Sequence, residues 1–111
     1  MKTQMIGSLS AIFLCALAEP VLAQAAPPDP LVGRELAGRL CSSCHATDPE
    51  GAAVTRTDIP SFASIARSPN ATAERLAGSI IIPHPAMPGI ALTRAEIRDL
   101  IAYILSLKPR A

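Results

Sequence analysis

The sequence predicts an all-α domain of three to five helices, and three observations predict it. Ile97, Leu100, Ile101, Ile104 and Leu105 recur at i, i+3, i+4, i+7 and i+8, the spacing of one helical face turned to a core. Thr93, with Glu96 three residues later, forms a capping box in front of that face. No stretch of the chain reads convincingly as a strand.

The N-terminal part is of another kind. Lys2, an apolar run over 5–18, Glu19-Pro20 and then "VLAQAAPPDP", with the small-x-small pattern Ala23-Gln24-Ala25, are the layout of a secretory signal peptide. A bilayer span needs about 20 apolar residues, and Glu19-Pro20 interrupts this run first. Residues 1–25 are therefore expected to be cleaved, after Ala25 or Ala23, leaving no stable membrane span and a periplasmic product. Cys15 lacks the small residues that precede a lipidated cysteine and reads as apolar filler.

Without that segment every remaining soft or imidazole ligand falls in two short stretches: Cys41, Cys44 and His45 in one, His84 and Met87 in the other. The aromatics reduce to Phe62 and Tyr103. A chain of fewer than about 90 residues buries a marginal core and commonly needs a disulfide, metal or cofactor. Something large and flat is missing from this one. The formal charge is +1 with no basic block, which argues against a nucleic-acid partner.

The helices follow in order. Residues 26–29 are a short arm without period, and the domain is expected over 30–108, with a tail at 109–111. Asp29-Pro30 reads as an N-cap followed by a first-turn proline. Val32, Leu36 and Leu40 then form a stripe leading into Cys41. From 46 to 59 no apolar period exists, and Asp48-Pro49, Gly51 and Pro60 mark a loop. "PSFASIA" at 60–66 is expected to hold a helical turn packing Phe62 and Ile65. A helix over 71–81, capped by Asn70 or Thr72, turns Leu76 and Ile80 inward and stops before Pro83. "IPHPAMPG" is a stiff extended loop, because Pro83, Pro85 and Pro88 restrict themselves and the residues before them. The last helix ends at Lys108-Pro109.

CSSCH at 41–45 admits three readings. Zinc would need four ligands, and adjacent Cys44 and His45 rarely bind one ion together. A redox dithiol belongs at a helix N-terminus after a strand, and an ordinary disulfide leaves the histidine unexplained. Haem attachment accounts for all three side chains: thioethers from Cys41 and Cys44 hold the macrocycle, and His45 is held where its imidazole reaches the iron. The covalent haem c also supplies the missing ring system. For the sixth position Met87, the one methionine after the leader, lies between two prolines; its thioether suits low-spin iron and raises its potential. His84 is the rival, and would give a lower-potential bis-histidine centre.

Gly33, eight residues before Cys41, together with CSSCH, "IPSF", Met87-Pro88 and "LTRAEIRDLIAYILSLK", resembles the small bacterial class I c-type cytochromes over nearly the whole domain. The resemblance implies a compact class I cytochrome c fold around one covalent haem c, with the terminal helices crossing closely at Gly33 against Leu100 or Tyr103. It implies His45 as proximal and Met87 as distal iron ligand. It also implies a proline carbonyl on the far nitrogen of the histidine, for which Pro60 is the candidate and Pro49 the runner-up. Where the family often has an aromatic four residues before the first cysteine, this chain has Ala37, so a thinner helix contact is expected.

The function expected is a periplasmic one-electron carrier and not an enzyme, since saturated iron leaves no place for a substrate. Its partners would be redox proteins, a periplasmic dehydrogenase or a terminal oxidase or reductase, met by a monomer. The alternative is a haem enzyme or a gas or redox sensor in which the sixth ligand is dissociable or absent. Lys108 is the one lysine after the leader, while Ala46, Ile82, Ala86, Pro88 and Ile90 flank the ligand stretches, so an apolar rather than a charged docking surface is expected.

Overall fold

The computed structural model describes residues 24–50, 58–82 and 84–110. Most of the leader expected at 1–25 lies outside them. Among the described residues there are four helices and no strand: α1 (Pro30–Leu40), α2 (Phe62–Arg67), α3 (Ala73–Ile81) and α4 (Arg94–Ser106). This is the all-α architecture predicted.

Each helix begins where a side chain can satisfy its first free N–H groups. Asp29 accepts from the Leu31 N–H at 2.8 Å, with Pro30 in the first turn where its missing N–H costs nothing. Ser61 caps α2 through the Ser64 N–H, and Thr72, rather than Asn70, caps α3 through the Arg75 N–H. At α4 the capping box is complete: Thr93 Oγ1 accepts from the Glu96 N–H at 3.2 Å and Glu96 Oε2 accepts from the Thr93 N–H at 2.8 Å. That exchange of hydrogen bonds holds the Glu96 carboxyl below its ordinary range, the Thr93 backbone N–H contributing most.

α4 packs against the other three helices. Its buried face is Leu100, Ile101, Tyr103 and Ile104, with Ile97 and Leu105 at the margin. The helix stops at Ser106, two residues before the expected end. The Leu107 N–H turns back to the Ile104 and Leu105 carbonyls, and Lys108 Nζ donates to the Ala71 carbonyl at 2.8 Å.

The stripe expected on α1 is corrected by one position. Its buried residues are Gly33, Leu36 and Ala37, whereas Val32 is 41% and Leu40 39% exposed. The reason is steric. α1 meets the backbone of α4 at Gly33, where an added Cβ would stand 2.5 Å from the Asp99 carbonyl carbon and 2.8 Å from Tyr103 Cβ. Only a face of small residues permits that approach, and a Val32–Leu36–Leu40 face would hold the helices apart. The partner of Gly33 is thus Tyr103 with the Asp99 backbone, while Leu100 lies in the core. Ala37 is fully buried and brings no ring to the contact; the ring against Tyr103 comes from Phe62 of α2, at a centroid distance of 6.4 Å.

Candidate functional site

The first half of the site grows out of the end of α1. Cys41 is its C-cap, and the Cys44 and His45 N–H groups both turn back onto the Cys41 carbonyl, at 3.1 and 2.8 Å. The helix thereby ends in a tight turn that groups both thiols and the imidazole. Cys41 is buried, and Cys44 and His45 are half-buried. Neither cysteine is in a disulfide, and burial, with a smaller contribution from Cys44, pushes the Cys41 thiol above its ordinary value.

His45 is held by two neighbours. Its ring lies 5.4 Å from that of Phe62, tilted by 50°. Its Nδ1 is 2.7 Å from the Pro60 carbonyl oxygen. A carbonyl can only accept, so Nδ1 carries the proton and Nε2 keeps its lone pair. The Phe62 N–H bonds the Ala46 carbonyl at 2.9 Å, which brings the start of α2, and Pro60 just before it, back to the motif. This is why Pro60 rather than Pro49 reaches the ring.

The segment after His45 is tied down at two points. Tyr103 donates its phenolic hydrogen to the Thr47 carbonyl at 2.7 Å, inside the protein, and burial raises the Tyr103 pKa, keeping the group a donor. Arg34 of α1 pairs with Asp48, holding that carboxyl below its usual range.

The second half comes from the loop between α3 and α4. The His84 carbonyl accepts from the Met87 N–H at 3.0 Å, closing a turn over 84–87. Met87 is half-buried and His84 exposed. Two neighbouring cavities, of about 270 and 300 Å³, share Cys41, His45, Pro60, His84 and Met87 in their walls. The first opens toward the loop residues Pro85, Pro88 and Ile90. The second runs inward to Phe62, Ile65, Leu76, Ile80, Leu100 and Ile104, the leucine and isoleucine faces of three helices.

The structure therefore gathers Cys41, Cys44, His45, Pro60, His84 and Met87, from three separate parts of the chain, around one cleft. Individually each cavity is at the small end for a ligand site, and together they fall within the common range of about 300–1,000 Å³. Among the described residues no group of three or more His, Cys, Asp or Glu converges as an ion site, and no large side chain is less than 2% exposed. A flat apolar group held by two thiols and one imidazole fits this cleft. Asp58 and Ser79 also line it and went unread in the sequence, whereas Leu40 entered only as part of the α1 stripe and Ile59 only within "IPSF". Ser79 precedes the inward Ile80 on α3, but neighbours along a helix point to different faces, so the period that marks Ile80 does not mark Ser79. Asp58 lies in the loop before Pro60, where no apolar period marks it.

The family model described as Cytochrome c matches residues 32–108. The chain belongs to the cytochrome c family. Among curated proteins, this cytochrome is 49% identical over 77 residues to "Cytochrome c-552" of Bradyrhizobium diazoefficiens, covering 69% of the chain and 73% of the relative. No solved structure matches it significantly. The cytochrome is a small class I bacterial c-type protein whose cofactor is covalent haem c. It is a periplasmic electron carrier and not an enzyme. Among the described residues no helix is long and apolar enough to cross a membrane.

Proposed function

We propose that Cys41 and Cys44 form the two thioethers to the haem, that His45 is its proximal iron ligand, oriented by Pro60, and that Met87 is the distal one. The observation that carries this reading is that His45 and Met87 border the same two cavities from opposite parts of the chain. The haem supplies a one-electron couple at its iron. The chain supplies the rest. The Pro60 carbonyl fixes the tautomer and the plane of the His45 ring and increases the basicity of Nε2. Met87, a soft thioether, favours the reduced state relative to a second imidazole. The apolar walls of the inner cavity would keep water from the iron, and walls of packed helices would change little when it gains an electron.

With His45 and Met87 both holding the iron, no place would be left for a substrate, and the function would be transfer between redox proteins. The partners in this reading are redox proteins, a periplasmic dehydrogenase or a terminal oxidase or reductase, each met by a monomer released from its leader at about residue 25. Carbon monoxide tests the ligand set. The reduced protein binds it poorly, Met87→Ala binds it readily and has a lower potential, and His84→Ala changes neither. A wild type that binds carbon monoxide as readily as Met87→Ala makes the protein a sensor or haem enzyme instead, and a His84→Ala variant that loses six-coordination makes the centre bis-histidine.

A further inference from the structure

Among the described residues Ala86 is the one non-glycine with a positive φ, +69°. There its Cβ crowds the following carbonyl oxygen, which is why glycine or asparagine ordinarily takes such positions. The hydrogen bond from Met87 N–H to the His84 carbonyl, with Pro85 second and Ala86 third in the turn, is the pattern of a type II turn, whose third residue must be left-handed. The chain has a glycine close by, Gly89, yet no described glycine has a positive φ. The left-handed position has been given to a residue that resists it.

Strain of this kind persists only where the surroundings over-determine it, and here they do. Pro85 fixes its own φ, and Pro88 keeps Met87 out of the helical region. The reversal of the chain between His84 and Met87 is therefore concentrated at Ala86. The two residues that this turn separates both border both cavities, and both are iron-ligating types. Met87 is half-buried against the cleft, and His84 is exposed on its rim.

We propose that Ala86 is a positioning residue that selects Met87 over His84 as the sixth ligand, an inference that rests on the ligand reading given above. With φ positive, the chain turns Met87 inward and leaves His84 outside. With φ negative, the segment after residue 86 swings away, Met87 leaves, and the His84 imidazole is the donor within reach. The sixth ligand is then decided by one backbone angle.

The test uses the haem-loaded, oxidised protein and its spectra. Glycine removes the cost of the left-handed angle, so Ala86→Gly keeps the methionine-to-iron charge-transfer band and weakens binding of added imidazole about fivefold. A β-branched residue is a genuine outlier there, so Ala86→Val loses that band yet stays low-spin with a bis-imidazole electron paramagnetic resonance signature, and Ala86→Val with His84→Ala becomes high-spin and binds carbon monoxide when reduced. An Ala86→Val protein that keeps the methionine band overturns the proposal, as does one that turns high-spin with His84 present. Should that variant not fold, Ala86→Gly decides alone: unchanged imidazole affinity overturns the proposal. A wild type lacking the methionine band overturns the Met87 assignment itself, which these variants leave distinguishable.

Discussion

A Cβ added at Gly33 would stand 2.0 Å from the Asp99 carbonyl oxygen. That atom belongs to the backbone of α4 and has no rotamer by which to move aside. Gly33→Ala forces the terminal helices apart, at the upper end of the cost of overpacking, about 3 kcal/mol. Gly38, whose Cβ would meet nothing within 4 Å, is the control: Gly38→Ala is neutral or stabilising, since alanine is the better helix former. Denaturant midpoints of the two haem-loaded variants check this. Equal midpoints would mean that α1 and α4 do not meet as described.

Tyr103→Phe keeps the ring against Phe62 and removes the hydrogen bond to the Thr47 carbonyl. A buried acceptor is left without its partner, which costs about 1–3 kcal/mol. Arg34→Ala opens an ion pair whose side chains are 56% and 31% exposed and costs less, because water and salt already screen it. Thermal unfolding of both variants gives the comparison, and a larger loss for Arg34→Ala would reverse the order of importance assigned here.

Thr93→Ala loses the cap of α4 and about 1 kcal/mol of stability. The same motif has a pH signature. The Glu96 carboxyl is held below its ordinary value of 4.5 in the folded protein, so its contribution is complete above that value and is lost as pH falls through the lower folded value. Glu96→Gln removes this part of the acid-side loss, leaving a shallower fall in stability below pH 4.5. An unchanged acid limb in Glu96→Gln would show that the carboxylate adds nothing to the cap.

Docking is expected to depend little on salt. Lys108, the one lysine after the leader, is bonded to the Ala71 carbonyl, while Ile82 is 71% exposed and Pro85, Ala86 and Pro88 are exposed around the cleft. Two ionised haem propionates bring the formal +1 to about −1, too little for long-range steering. The second-order rate with the native partner changes by no more than about threefold between low and physiological ionic strength. Stopped-flow measurement of a fall of about tenfold or more would reveal a charged docking patch.

Several features of the molecule were legible in the order of its residues because they depend on near neighbours. Asp29 before Pro30, Thr93 before Glu96, the apolar period of α4 and the prolines around Met87 each act within about one helical turn, and each appears in the structure where the sequence sets it. The grouping of Cys41, Cys44 and His45 is local in the same sense. The resemblance already placed the close crossing at Gly33, but the period of Val32, Leu36 and Leu40 pointed to another face, and only the tertiary structure showed Val32 and Leu40 left partly exposed while Gly33 and Ala37 are buried. The choice between Pro60 and Pro49, the bond from Tyr103 to a carbonyl 56 positions away, and the anchoring of Lys108 on Ala71 likewise depend on how α2, α3 and α4 come to rest. Ala86 is the sharpest case. The composition of the loop announces a turn, but alanine gives no sign of a left-handed backbone; that angle is imposed by the prolines on either side and by the cleft into which Met87 must point.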